Sequence, residues 1–546
     1  MANNDVSHLL SDEQYLAFLN EGFVVLQPES LDDSDHNHFY QRAQALYKRT
    51  KLLKSPTAHL EILGDNLRAQ IPELDKLLDD PVVTGAVKSI VGENAALHPH
   101  NFVHQSSLID QAFHQDGNLP WNERGHYRAH RPDWLLLFYY PQEVDETNGP
   151  TEIIPGTQYW TRDIEKEDGT WHPGDPIDRT FGREEMNTED LAYRDKRLQD
   201  GVDGLGIPKL NRHFIHVPKG SVVLANYDLI HRGSRKLPNT PDRFMYKFHY
   251  ARTQEPETPA WHNQVALPSL DAVRKEIQPV VQQIWQWSRG ETKYSTTDIN
   301  IEDAQKHLSS GREDQKIEAA YQLGMTASQQ SPAALQVLTA GLYDETESTR
   351  RASSYGLRTA GATALDVLAE ASQSERASVR RFALYALGNI DTTESTSALN
   401  ALLTAIADEP DDLARSNAAY ALGQVVRART KDLGYLTDIL LQRLKPGVEP
   451  NNTEVALLPR STVRQSVAFA LMLLAYNHKL SDTQTAAITN IIAQETDRYV
   501  KGMLLEALCQ VSTDTNVVNL IKGFIGQRWN TAPQVDENAE KVVARS

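Results

Sequence analysis

Cysteine is almost missing from this sequence: Cys509 is the only one in 546 residues. No intramolecular disulfide can form, the framework of a disulfide-built secreted scaffold is excluded, and a reducing compartment is expected. Long apolar runs are missing too. None reaches the ~18 residues that a membrane-spanning helix needs. The opening MANNDVSHLLSDEQYLAFLNEGFVVL lacks the basic stretch and apolar core of a secretory leader. A cytoplasmic location without membrane attachment is the expectation. Positive charge is short as well: 55 Lys and Arg stand against 73 Asp and Glu, a formal net charge of -18. That balance works against general affinity for nucleic acid or anionic membrane, while leaving room for a local basic pocket.

With 40% hydrophobic and 23% charged residues the chain has an ordinary globular composition, and its length favours at least two domains. Leu10 to Leu26 reads as a helix running into a strand. Ser11 is a good N-cap, Glu13 supports the first turn, Phe18 and Leu19 begin an apolar stripe, and Gly22 ends the helix before Phe23-Val24-Val25-Leu26. From about residue 100 to 252 the apolar runs become short and β-branched or aromatic, as in 133–140, 151–154, 221–224 and 244–250. Asn148-Gly149-Pro150 and Pro155-Gly156-Thr157 punctuate them as turns. The pattern suits an antiparallel barrel or a double-sheet jelly roll. The long polar stretch between Gln158 and His213 is a candidate lid, set against the plainer reading of a solvated excursion.

Beyond about residue 295 a recurring helical segment appears. Segments 317–324, 352–357, 382–388, 417–423, 467–471 and 504–508 align on Leu323, Leu357, Leu387, Leu422, Leu471 and Leu508, at spacings of 34, 30, 35, 49 and 37 residues. A period of this size with two helices per unit marks an α-solenoid. The segments resemble HEAT repeats. Their alanines let helices approach, and Arg351, Arg380, Arg415 and Arg464 read as surface or inter-repeat hydrogen-bonding positions. The expected division is a β-domain over 1–295, a HEAT-like α-solenoid over 296–530 and a polar tail over 531–546.

His114-Gln115-Asp116 sets an imidazole and a carboxylate two residues apart, which on a strand sends both to one face. His231 follows Asp116 by 115 residues, just after two apolar stretches that can return it to the same place. Two histidines and one carboxylate form the facial triad of non-haem iron(II) oxygenases, although the same ligands bind other divalent ions. Arg243, twelve residues beyond His231, opens the next strand. A guanidinium there suits bidentate capture of a dicarboxylate such as 2-oxoglutarate, against the commoner role of a surface charge.

At these residues the sequence resembles the phytanoyl-CoA dioxygenase family. The similarity runs over Leu10–Gln14 and Gly22–Leu26, Phe113-His-Gln-Asp-Gly117, Asn148-Gly-Pro-Thr-Glu-Ile-Ile-Pro-Gly-Thr157, and His231 to Arg243, about residues 8 to 252. The resemblance implies a double-stranded β-helix (cupin-like jelly roll) with flanking helices. It implies iron(II) on His114, Asp116 and His231, 2-oxoglutarate on Arg243, and O2 as co-substrate, with ascorbate as a reductant. Gln115 and Tyr139 occupy positions that help hold the co-substrate in the family. Gly233 stands where serine is common, with Ser234 as the candidate replacement. Because Asp116 is present, hydroxylation rather than halogenation is implied, coupled to conversion of 2-oxoglutarate to succinate and CO2.

The expected substrate is a polar small molecule, hinted at by Asn118, Trp121, Asn122, Arg124, His126, Tyr127 and Arg128 near the first motif, against a reading of ordinary loop chemistry. Two other readings compete with it. One is an oxygenase whose protein or carrier-tethered substrate is presented by the solenoid, a surface that also suits a protein partner. The other is a non-catalytic scaffold, against which the intact triad and Arg243 argue.

Overall fold

The computed structural model describes residues 8–52, 63–64, 67–116, 128–166, 177, 188–205, 207, 210–292, 294, 298–390, 395–428, 433–448 and 462–511. Helix α1 (Asp12–Glu21) begins on a capping box: Ser11 Oγ accepts from the Gln14 amide, and the Gln14 side chain accepts from the Ser11 amide at 2.9 Å. Gly22 ends it at φ +87°, where a side chain would be strained and would strike Gln158. The predicted strand β1 (Phe23–Leu26) follows.

The remaining strands are β2 (Ala96–Leu97), β3 (Phe102–Gln105), β4 (Trp134–Tyr139), β5 (Thr151–Ile153), β6 (His213–Phe214), β7 (Val222–Asn226), β8 (His231–Gly233) and β9 (Phe244–Ala251). One sheet runs β1-β7-β4-β9-β2, with β3 also paired to β9; the other runs β6-β5-β8. Every pairing among these strands is antiparallel, as expected of a double-sheet jelly roll. β4 is buried along its whole length between β7 and β9, which is why its run Trp-Leu-Leu-Leu-Phe-Tyr is continuous rather than alternating. Its two faces differ in what they meet. Phe138 lies 5.7 Å from the His231 ring, whereas Tyr139 turns to the opposite face and bonds His36 on the flanking helix α2 (Asp33–Leu52).

Of the 158–213 stretch, Leu191–Gly204 forms a helix capped by Asp190, whose side chain accepts from the Tyr193 amide at 3.0 Å. The lid expectation falls largely on residues 167–176 and 178–187, which lie outside the described residues.

The C-terminal part is helical. Among the described residues it comprises six successive hairpins: Ile301–Ser310 with Glu313–Ser328, Pro332–Leu342 with Glu347–Ala360, Leu365–Ala371 with Ala377–Leu387, Thr396–Asp408 with Asp412–Val425, Leu436–Arg443 with Thr462–Asn477, and Asp482–Gln494 with Arg498–Cys509. Each aligned leucine falls in the second helix of its pair. Small residues set how closely these second helices approach one another. A Cβ on Gly388 would stand 2.4 Å from the Ala421 Cα, and one on Gly324 would stand 2.4 Å from the Gly356 carbonyl oxygen. Three of the four anticipated arginines bridge neighbouring repeats: Arg351 to Glu313 at 2.9 Å, Arg380 to Glu409 at 2.7 Å, and Arg464 to Glu495. Arg415 instead pairs locally with Asp412 at 2.6 Å.

Candidate active site

β8 brings His231 beside His114. The two residues exchange backbone hydrogen bonds, each N–H to the other's carbonyl at 3.0 Å, and their rings stand 4.5 Å apart. Each imidazole places Nδ1 at 2.9 Å from the carbonyl two residues earlier, Ala112 for His114 and Leu229 for His231. A carbonyl can only accept, so Nδ1 carries the hydrogen and Nε2 keeps its lone pair. Those Nε2 atoms point at Asp116, 3.9 Å from Oδ1 for His114 and 3.4 Å from Oδ2 for His231. One ligand atom from each of the three residues lies within 4.8 Å of the others. Burial, with His114 adding to it, holds His231 down at about 3, so the ring is neutral and ready to ligate. Burial pushes the Asp116 carboxyl up, but Lys247 and the two histidines outweigh it and keep the group ionised well below the usual carboxylate range.

His114, His231 and Lys247 border a cavity of ≈ 510 Å³. Arg243 also lines it, although only 3% exposed. Its Nε donates to the Gly149 carbonyl at 2.9 Å, within the Asn-Gly-Pro turn. No carboxylate among the described residues pairs with its guanidinium. The contrast with Arg232 is sharp: that side chain is fully buried between Asp110, at 2.8 Å, and Glu152, and it lies over the Phe113 ring, clamping the strand that carries His231. A metal-ligand triad whose two histidines share one cavity with an arginine lacking a carboxylate partner among the described residues fits an iron(II) ion with a dicarboxylate co-substrate.

Three expectations meet a different arrangement. Gln115 is turned away from the cavity by the same alternation that sends His114 and Asp116 together. Its Nε2 donates to the carbonyls of Thr157, Trp160 and Asp228, at 3.3, 2.8 and 2.7 Å. Tyr139 likewise lies on the far face of β4. Arg128 is not at the mouth: it is buried, 3.1 Å from Asp228. Ser234 does line the cavity, with its hydroxyl donating to the Pro150 carbonyl at 2.6 Å. The other anticipated substrate residues, Asn118, Trp121, Asn122, Arg124, His126 and Tyr127, lie outside the described residues.

Lys247 escaped the sequence reading. Its Nζ is bonded to Asp116 and it shares the cavity with His104 and Gln111. The signal was there in period two: Arg243, Met245 and Lys247 alternate with the apolar or aromatic Phe244, Tyr246 and Phe248 along β9, and the three line the cavity.

A jelly roll carrying a two-histidine, one-carboxylate centre and an arginine for a dicarboxylate defines an Fe(II)- and 2-oxoglutarate-dependent oxygenase domain. Residues 6–241 match the model of the phytanoyl-CoA dioxygenase family, and residues 356–423 match that of HEAT repeats. The chain is thus similar to the phytanoyl-CoA dioxygenase family over its first part and to HEAT repeats further on. No curated protein matches it significantly. Solved structures similar to it include HygX from Streptomyces hygroscopicus with nickel and 2-oxoglutarate bound, at 18% identity over 45% of this chain and 88% of that one, TM-score 0.30. EctD from S. alaskensis with bound Fe is similar at 16% identity over 46% of this chain and 80% of that one, TM-score 0.31. AviO1 from Streptomyces viridochromogenes is similar at 14% identity over 46% and 96%, TM-score 0.30.

Proposed function

We propose that this protein hydroxylates a C–H bond of a polar small molecule, consuming O2 and 2-oxoglutarate and releasing succinate and CO2. The observation that carries the reading is Arg243, a buried guanidinium facing the cavity of His114 and His231 with no carboxylate partner among the described residues. His114, Asp116 and His231 would hold iron(II), and Arg243 the distal carboxylate of 2-oxoglutarate. When bound, the iron supplies the site where O2 is activated. The protein's share is to fix the two imidazoles in the ligating tautomer, to orient the co-substrate on Arg243, and to present the substrate beside them.

A polar substrate is supported by the cavity lining, in which His104, Gln105, Ser106, Ser107, Gln111 and Lys247 outnumber apolar side chains. Among the described residues no helix is long and apolar enough to cross a membrane. A cytoplasmic setting completes the proposal; the expected bounds near 295 and 530 and the tail over 531–546 lie outside the described residues.

The test is anaerobic addition of iron(II) and 2-oxoglutarate to the purified protein, watching for the visible charge-transfer band of the chelate. A band abolished in His114→Ala and weakened in Arg243→Ala is expected, followed by substrate-dependent succinate release across a panel of polar compounds. Absence of the band in the unaltered protein overturns the proposal.

A further inference from the structure

Two residues before the aligned leucine, each of the first five repeats carries an aromatic residue: Tyr321, Tyr355, Tyr385, Tyr420 and Phe469. The sixth carries Glu506. All five aromatics are buried, and all five touch one short stretch of the β-domain, residues 128–134, which leads into β4, Tyr420 by a side-chain hydrogen bond with Trp134. The Tyr355 hydroxyl accepts from the Arg128 amide at 2.6 Å, and the Tyr385 hydroxyl donates to the Arg128 carbonyl at 3.2 Å. The Tyr321 hydroxyl meets His130 Nδ1 at 2.9 Å, and Phe469 packs 5.2 Å from Trp134. Arg358, one residue past Leu357, donates to the Ala129 carbonyl at 2.9 Å. Backbone groups of an irregular segment, buried and away from any sheet, are thus satisfied by the repeats.

The stretch they hold reaches the candidate metal ligands in two further steps. Arg128 Nη1 donates to Asp228 Oδ1 at 3.1 Å, and the Ala129 amide donates to Oδ2 at 2.9 Å. The Asp228 carbonyl accepts from Gln115 Nε2 at 2.7 Å, and Gln115 is the residue between His114 and Asp116. Asp228 itself sits in the turn closed from the Leu229 amide to the Asn226 carbonyl, which delivers His231 three residues later, after Leu229, whose carbonyl fixes the His231 ring.

We propose that the HEAT-like array is a positioning element of the active centre: Tyr355 and Tyr385 fix Arg128, Arg128 fixes Asp228, and Asp228 sets both the His231 turn and Gln115. Arg128, Asp228 and Gln115 are positioning residues, none of them a ligand. The proposal rests on His114, Asp116 and His231 being the metal ligands. It also accounts for the aromatic face of the repeats, which is taken up by the chain's own β-domain and so is not open to present a substrate protein.

The experiment uses the full chain, metal-free, and the double variant Tyr355→Phe/Tyr385→Phe. Tyr476→Phe serves as control, because that hydroxyl bonds Glu506 within the array. Hydrogen exchange of peptides spanning 113–116 and 226–231 is expected to accelerate by about tenfold in the double variant and to stay unchanged in the control. Cobalt(II) affinity is expected to fall by about tenfold alongside, the scale on which residues behind metal ligands act. If the double variant does not fold, Tyr385→Phe alone carries the same comparison. Unchanged exchange at both peptides in a folded variant overturns the proposal and leaves the array as packing alone. If the unaltered protein binds no cobalt(II), it is the ligand assignment that falls, and the exchange arm still decides whether the array governs these two segments.

Discussion

Both halves of the molecule bury arginines, and the difference between them separates architecture from chemistry. In and around the array, Arg351, Arg380, Arg427 and Arg464 each meet at least one carboxylate; Arg427 reaches Asp133 at 2.6 Å and Glu255 as well. Arg232 in the β-domain is paired in the same way. Arg243 is just as buried and has no carboxylate among the described residues; the buried Arg358 of the array also bonds neutral groups, the Ala129 carbonyl and the Tyr321 hydroxyl, but Arg243 has only a carbonyl on Nε and a cavity in front. A buried charge costs several kcal/mol unless it is compensated, so a site that leaves one uncompensated is a site shaped for an anion that arrives later.

The strongest way to break that comparison is to neutralise both kinds. Arg427→Met leaves the buried Asp133 with only the more distant Arg252, at 3.8 Å, and is expected to cost about 3–5 kcal/mol in denaturant unfolding. Arg243→Met strands no carboxylate, only the Gly149 carbonyl, and is expected to stay within about 1 kcal/mol of the parent while weakening the iron(II)–2-oxoglutarate band. Equal losses in the two variants would mean that Arg243 is structural.

The next effect is expected in acid, at the junction of the halves. His130, at φ +58°, is held neutral: Nε2 donates to the Tyr159 carbonyl at 2.8 Å, and Nδ1 takes the Tyr321 hydrogen while Arg358 donates to that same hydroxyl. Burial, followed by Arg358, depresses it well below its ordinary 6.5. A depressed folded value means that the unfolded chain binds the proton more readily. The stabilisation is therefore complete above 6.5 and is lost as pH falls from there toward the folded value. The stability of the unaltered protein should fall more steeply below that point than that of His130→Gln; parallel profiles would remove His130 from the account.

Smaller again is the packing of the repeats. Gly388→Ala forces a methyl to 2.4 Å from the Ala421 backbone, and a loss of about 1–3 kcal/mol is expected in unfolding, with the iron(II)–2-oxoglutarate band unchanged. The mildest change is Gly233→Ser. Its Cβ would sit 3.3 Å from Gln111 Oε1 and 3.6 Å from Arg243 Nη2, so the side chain fits after a slight shift of Gln111. One added hydrogen bond, worth about 1 kcal/mol, should tighten 2-oxoglutarate binding about fivefold by titration of the band. No change would show that Ser234, or nothing, is needed there.

Much of this is legible in the sequence alone. The N-cap at Ser11, the run of β4, the period of the leucines and the His-x-Asp, His, Arg order are local signals, and short-range physics preserves them. Lys247 was legible in principle from the alternation of β9. The parity of β4 was not, because a continuous apolar run carries no mark of which side chains face which layer. The sequence therefore placed Tyr139 by likeness, where the pleat turns it to α2.

What the sequence by itself determined is the list of parts: a β-domain with metal-ligating residue types in order, and a repeat array with an aromatic residue in each of its first five units. Only the tertiary structure decided that those aromatics close on residues 128–134, that Arg128 is buried against Asp228, and that the array thereby stands behind the candidate metal centre. The reason is one of range. Periodicity and capping act over a few residues, whereas the link from Tyr355 to Arg128 joins positions 227 apart and Arg128 to Asp228 positions 100 apart, and no local pattern carries such a pairing.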